Sequence, residues 1–246
     1  MGEGKIAVIT GAAKGIGRKI TLKLIEDNFF AIAIDIDKNA DIEQLNRTSN
    51  GNFKYYICDI SKETEVLNLF KIIVEKYPSV DVLVNNAGII KDNLIHKMSL
   101  DDFENVINVN LKGTWLMCRE VAKIMREQKF GRIINISSRA WLGNPGQSNY
   151  SASKAGIIAL TRVLALELGK YNVMVNAIAP GLIDTPLTQS LPREIFEKLI
   201  NTQPTKTIGK PEDVANVVSF LANEKTQFIT GQTIYIDGGK SIGANF

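Results

Sequence analysis

The stretch Lys5-Ile6-Ala7-Val8-Ile9-Thr10-Gly11-Ala12-Ala13-Lys14-Gly15-Ile16-Gly17 decides the fold. Its first six residues form an unbroken apolar run after one lysine, the pattern of a strand buried on both faces. From Gly15 to about Asp27 the period changes, and Ile16, Ile20, Leu24 and Ile25 fall on one helical face. The glycines sit where strand hands over to helix. Gly11 permits a tight turn, Gly15 lets backbone approach a pyrophosphate, and Gly17 lets the helix pack closely on a sheet. The start of a helix also offers partial positive charge to phosphate. The spacing is G-x-x-x-G-x-G and lacks a terminal Gly-Lys-Ser/Thr, which disfavours a nucleoside-triphosphatase loop.

Outward from that turn, strand-like and helical segments alternate. Strands are expected at 30–35, 53–58, 80–85, 132–137, 173–178 and 232–237. Helices are expected from Ser61, an N-cap, to about Tyr77; from Ser99, with Asp102 three residues on, to about Gln128; from Tyr150 to about Tyr171; and from Pro211 to about Asn223. Seven strands with intervening helices predict an α/β fold, a Rossmann-type doubly wound parallel sheet with helices on both faces. The 246 residues, 45% hydrophobic, contain no repeat or linker, so residues 1–246 read as one dinucleotide-binding and catalytic domain. The irregular stretch from Gly181 to Pro211, with a short helix at 193–201, lies where such folds bind ligands, and about 184–211 reads as a substrate lid.

Composition excludes several classes. No long uncharged apolar run offers a membrane span, and Met1 to Lys5 lead straight into a strand without a signal-peptide pattern, so a cytoplasmic protein is expected. The net charge of +3 is scattered, with few interleaved aromatics, and does not read as a nucleic-acid surface. Cys58 and Cys118 are too few and too far apart for a zinc site or disulfide framework; they read as reduced core thiols, and no metal is expected.

The chemistry is carried by Tyr150 and Lys154, four residues apart and so one turn apart on one helix face. A cation beside a phenol favours phenolate and lowers a pKa that is otherwise about 10, giving a group that exchanges a proton with an alcohol oxygen. A surface tyrosine stacked on a lysine stem has the same spacing, so the pair gains meaning only beside the glycine turn and the serines Ser137 and Ser138. Asp35, 18 residues after Gly17, stands where a carboxylate accepts hydrogen bonds from an adenine ribose and repels a 2′-phosphate, which favours NAD. Lys14 in the glycine turn pulls toward NADP, which stays open.

Taken in order, these motifs resemble the short-chain dehydrogenases/reductases over essentially the whole chain. The matching residues are Thr10-Gly11-Ala12-x-x-Gly15-Ile16-Gly17, Asp59-Ile60, Asn85-Asn86-Ala87-Gly88, Asn110, Ser137-Ser138, Tyr150-x-x-x-Lys154 and Pro180-Gly181-x-Ile183-x-Thr185. The stretches 143–150 and 236–239 resemble the β-ketoacyl-acyl-carrier-protein reductase branch. The resemblance implies that Asp59 and Ile60 hold adenine, and that Asn86, Ala87 and Gly88 line the cofactor groove. Tyr150 is implied as acid/base, with Lys154 lowering its pKa and binding the nicotinamide ribose. Asn110 would hold a relay water, and Ile183 and Thr185, after Pro180-Gly181, would bind the carboxamide. A homotetramer is also implied.

A serine would bond the substrate oxygen. Counting back thirteen residues from Tyr150 selects Ser137, whereas strand register selects Ser138, which is preferred because loops absorb deletions and strands do not. Single residues carry less. His96 reads as a surface histidine, Trp115 as core or subunit packing, Trp141 as a substrate wall, Arg139 as solvated, and Lys129 with Arg132 as a small basic cluster.

The leading expectation is an NAD-dependent oxidoreductase for a secondary alcohol or ketone. The alternative is an NADPH-dependent 3-oxoacyl-acyl-carrier-protein reductase of fatty acid synthesis with a carrier-linked substrate. A non-catalytic dinucleotide sensor fits poorly, because a binding module needs no proton relay.

Overall fold

In a computed structural model, which describes residues 4–38, 49, 51–189 and 192–242, the chain forms a seven-stranded sheet in the order β3-β2-β1-β4-β5-β6-β7. The strands are β1 (Ile6–Thr10), β2 (Phe30–Asp35), β3 (Phe53–Ile57), β4 (Val82–Asn85), β5 (Gly131–Ile136), β6 (Val173–Pro180) and β7 (Thr233–Ile236), and every pairing is parallel. Residues 1–3 and residues 190 and 191 of the expected lid lie outside the described residues.

Parallel neighbours need crossovers, and the helices supply them on both faces. On one face α1 (Gly15–Glu26) packs with α8 (Pro211–Ala222), burying Ile20, Leu24, Val214 and Val218 against Ala7, Ile9 and Ala33. On the other, α2 (Glu63–Lys76) and α4 (Thr114–Gln128) bury Leu69, Ile73, Met117 and Val121 against Val8, Ile32 and Leu83. The strands are apolar on both sides because both sides are covered.

Three local expectations change. Ser61 does not cap α2: its hydroxyl donates to Asp59 at 2.7 Å, and Lys62 takes the N-cap position. The helix opened by Ser99, whose hydroxyl accepts from the Asp102 amide as expected, is not continuous. It runs as α3 (Leu100–Val106), widens to a π-helical segment (Ile107–Gly113), and continues as α4. Gly113 closes that segment against Ile60, where a Cβ would lie 2.8 Å from the isoleucine side chain. The helix bearing Tyr150, α5 (Ser148–Leu168), ends in a 3-10 turn at 169–171. Beyond β6, α6 (Pro186–Gln189) and α7 (Arg193–Asn201) form an excursion tied shut at its base. There, Asp184 N donates to Gly209 O at 2.8 Å and Gly209 N to Leu182 O at 3.0 Å.

Candidate active site

A parallel sheet places the carboxyl ends of all its strands on one edge, and the singled-out residues gather there from β1 to β6. Gly11 (φ 66°) and Gly15 (φ 55°) adopt left-handed backbone that glycine tolerates. A Cβ on Gly17 would lie 2.0 Å from Gly11 O and 2.5 Å from Asn86 Nδ2, so only glycine lets α1 approach this closely. Gly15 differs: its open side meets nothing nearer than Thr185, 3.9 Å away across the groove. Lys14, exposed at the N-cap of α1, makes no side-chain cap, and the first turn holds no acid. An open cradle beside an uncapped helix start fits a pyrophosphate.

The rest of the groove is held by hydrogen bonds. The Asp35 carboxylate accepts from the Ala13 amide at 2.9 Å and the Ile36 amide at 2.8 Å, joining the end of β2 to the glycine turn. Asn86 Nδ2 donates to Thr10 O at 3.1 Å and Gly11 O at 3.0 Å. The buried Thr10 hydroxyl accepts from the Asn86 and Ala87 amides at 3.0 and 3.1 Å, so this first residue of the glycine motif ties the turn to the end of β4. Partial burial pushes the Asp59 carboxyl up, but the Ser61 hydroxyl and amide and Lys62 outweigh it and hold Asp59 below the usual range. Ile60 is buried, so its side chain belongs to the core. Pro180 ends β6, and Gly181 bonds Ile236 O where a Cβ would strike Asp237. Ile183 is buried, and the Thr185 amide donates to Thr188 Oγ1 at 2.8 Å.

Tyr150 and Lys154 lie on the first turns of α5, with the Lys154 nitrogen 5.5 Å from the centre of the Tyr150 ring. Lys154 is buried and donates to Ile136 O at 2.8 Å; burial pushes its pKa down to about 8. Burial pushes the Tyr150 phenol up, the Ser138 hydroxyl draws it back, and the Asp92 carboxylate pushes it up again. The net shift is therefore upward, against the lowering expected from Lys154, and its largest cause is desolvation. The two serines separate cleanly. Ser138 stands near enough to the phenol to draw its pKa down, and it caps its own turn by accepting from Ala140 N at 3.1 Å. Ser137 is buried and donates to Lys154 O at 2.9 Å, a bond that seats α5 on β5.

Asn110, buried in the π-helical segment, donates to Ile89 O at 3.0 Å and Ser153 Oγ at 3.1 Å and accepts from Ile89 N at 2.8 Å. Ser153 passes the contact on by donating to Tyr150 O at 2.7 Å. A Cβ on Gly88 would stand 3.2 Å from Asn110 Oδ1 and 3.5 Å from the Lys154 nitrogen, so these three share one corner.

These contacts bring a glycine cradle, an acidic strand end and a Ser-Tyr-Lys set to one edge. Residues 11–241 match the family model described as Enoyl-(Acyl carrier protein) reductase. The chain belongs to the short-chain dehydrogenase/reductase family. This dehydrogenase/reductase is 43% identical to 3-oxoacyl-[acyl-carrier-protein] reductase FabG of Thermotoga maritima over 241 residues, 96% of this chain and 98% of that one. It is 40% identical to (2S)-[(R)-hydroxy(phenyl)methyl]succinyl-CoA dehydrogenase subunit BbsD of Thauera aromatica, covering 98% of both. The crystal structure of levodione reductase superposes with a TM-score of 0.92 at 31% identity, covering 98% of both chains. The protein is thus an NAD(P)-dependent oxidoreductase acting on CH–OH groups.

The remaining singled-out residues make the following contacts. Arg132 is buried, stacked 4.6 Å from the Phe130 ring and donating to Gly131 O and Glu224 O, so it forms no surface cluster with Lys129. Trp115 is 44% exposed under Arg119 rather than in the core. Trp141 bonds the Tyr235 hydroxyl at 2.8 Å, Arg139 donates to Asn144, and His96 is exposed. A groove of about 730 Å3 lined by Lys5, Phe30 and Tyr77 lies at the opposite edge of the sheet and includes no residue of this site. Among the described residues no helix is long and apolar enough to cross a membrane, and no His/Cys/Asp/Glu cluster suits a metal.

Proposed function

We propose that this enzyme interconverts a secondary alcohol and a ketone, with Tyr150 as acid/base, Lys154 as its fixed cation and Ser138 as the donor to the reacting oxygen. The observation that carries the reading is buried Lys154 one turn behind Tyr150, its nitrogen 5.5 Å from the ring centre, with Ser138 near enough to draw the phenol's pKa down. A neutral phenol gives its proton to a carbonyl oxygen in the reductive direction and recovers it in the oxidative one. Ser138 donates to the same oxygen as charge grows on it, an interaction that strengthens toward the transition state. Lys154 stabilises the phenolate that remains. Asn110, whose oxygen shares the Gly88 corner with the Lys154 nitrogen, would hold a water that links Lys154 to a proton relay.

A nicotinamide dinucleotide in the groove supplies or accepts the hydride. Gly11, Lys14, Gly15, Ile16 and Gly17 would cradle its phosphates, Asp35 its adenosine ribose, and Asp59 and Ile60 its adenine. Asn86, Ala87 and Gly88 would line the middle, with Tyr150 and Lys154 on the second ribose and Pro180, Gly181, Ile183 and Thr185 on the carboxamide. Asp35 favours NAD, because a carboxylate there meets a 2′-phosphate unfavourably. The closed base of the 184–209 excursion supports its reading as a lid. Exposed Phe103, Trp115, Val163 and Leu166 on α3 to α5 support a homotetramer.

The second reading is a reductase of 3-oxoacyl thioesters, favoured by two relatives whose names place their substrates on acyl carrier protein or coenzyme A. Titrating NADH and NADPH separately at equal ionic strength, then assaying acetoacetyl-CoA, divides the readings. Tyr150→Phe tests both: turnover falls at least about a hundredfold while dinucleotide binding persists. Surviving turnover would sink the assignment.

A further inference from the structure

The first turn of α5 carries the catalytic pair, yet its start lacks the usual anchor. Gln147 occupies the N-cap without a side-chain cap bond, and no acid stands in the first turn. The first amides of a helix have no intrahelical acceptor, and the Tyr150 amide is one of these. Asn149, fully buried, accepts it on Oδ1 at 2.7 Å. Asn149 Nδ2 donates to Lys91 O at 2.9 Å and to Asp102 O at 3.3 Å. One side chain thus satisfies the catalytic residue's own amide and two carbonyls on separate segments. Those segments are closed on each other by the Lys91–Asp102 ion pair at 2.7 Å. Further along, Asn93 N donates to Gly146 O at 2.8 Å and Gln147 Nε2 to Asp92 Oδ2 at 2.9 Å, so residues 91–93 run as a rail beside the helix start.

We propose that Asn149 is a positioning residue for Tyr150, locking the first turn of α5 onto the Lys91–Asn93 rail and the backbone of α3. The proposal rests on Tyr150 being the acid/base. The Tyr150 peptide is pinned at both ends, its amide by Asn149 and its carbonyl by Ser153, so only side-chain torsions remain to place the phenol. Proton transfer needs heavy atoms within hydrogen-bond reach, and a shift of about 1 Å costs on the order of a hundredfold in rate. Removing Asn149 takes away the partner of the Tyr150 amide and of two carbonyls at part-buried positions, and the turn moves to find others. Of the groove residues Asn149 bonds Tyr150 alone, through its backbone amide, so the loss falls on kcat far more than on dinucleotide binding.

The test compares Asn149→Asp, Asn149→Ala and Asn149→Ser with Val218→Ala, a core truncation in α8 that lowers stability away from the site. Asp keeps the acceptor for Tyr150 N and turns both donated bonds into oxygen–oxygen contacts at equal volume. Each variant is assayed with acetoacetyl-CoA and the dinucleotide that binds wild type more tightly, and backbone hydrogen exchange is followed over residues 148–153. Asn149→Asp and Asn149→Ala are expected to lose at least about tenfold in kcat, with KM and dinucleotide affinity within about twofold. Exchange over 148–153 rises, Asn149→Ser falls between these variants and wild type, and Val218→Ala changes neither kcat nor that exchange. The proposal is overturned if folded Asn149 variants keep kcat within about twofold, if kcat and affinity fall together, or if exchange is unchanged. Should Ala and Asp fail to fold, Asn149→Ser decides by the same criteria. Tyr150→Phe run alongside separates the two failures: surviving turnover there removes the acid/base reading, while the exchange data still judge the anchor.

Discussion

Lys154→Met is expected to make the protein more stable at neutral pH while abolishing its turnover. The Lys154 ammonium is buried with one protein acceptor, Ile136 O, and its pKa falls from 10.5 to about 8. A folded pKa below the unfolded one means that the folded protein binds fewer protons between those values. The cost of burying the charge is therefore present in full below pH 8 and vanishes as pH rises through 10.5. At about 1.4 kcal/mol per pKa unit, that cost is roughly 3 kcal/mol at pH 7 and under about 1 kcal/mol at pH 10. Methionine fills similar space without charge but leaves Ile136 O unpaired, at about 1 kcal/mol. The expected gain is thus about 2 kcal/mol at pH 7, a Tm rise of about 4–8 °C, and about nothing at pH 10. Urea unfolding of both proteins at the two pH values and one fixed protein concentration reads this directly. A variant less stable at pH 7, or a difference that ignores pH, would refute the claim that Lys154 is a buried charge held for function. Such an exchange of stability for activity is expected where a site carries desolvated charge.

Other variants separate binding from chemistry. Gly17→Ala drives a methyl into Gly11 O and should raise the dinucleotide dissociation constant at least about tenfold and cost about 2 kcal/mol, read by fluorescence titration and urea unfolding. Asp35→Asn removes the charge facing a 2′-phosphate, and the NADPH to NADH affinity ratio should rise about tenfold; an unchanged ratio would mean that Asp35 does not read the ribose. Ser138→Ala should cut kcat about a hundredfold with little change in Tm. Ser137→Ala, by contrast, should cost about 1 kcal/mol of stability through the lost Lys154 O bond and keep most of kcat. The opposite pattern would exchange the two serines.

The sequence by itself determined the α/β class, the order of strands and helices, the glycine turn and the Tyr150–Lys154 spacing. Those signals are local: two-sided burial writes continuous apolar runs, as in Ile6–Ile9, and helical period writes spacing four. Even the short helix at 193–201 was legible from its flanks. What only the tertiary structure decided depends on partners distant in sequence. The π-helical widening at 107–113 ends with Gly113 close against Ile60, and nothing in Ile107–Gly113 alone announces it. Arg132 reads as a surface charge until two distant segments add the Asn172 and Glu224 carbonyls to that of Gly131. The direction of the Tyr150 shift turned on how much packing surrounds the phenol, which a reference pKa and a nearby lysine do not contain. Ser137 and Ser138 were separable in principle by strand register, because successive side chains point to opposite faces. Only the docked α5 shows Ser137 spent on Lys154 O, which supports Ser138 as the proposed donor.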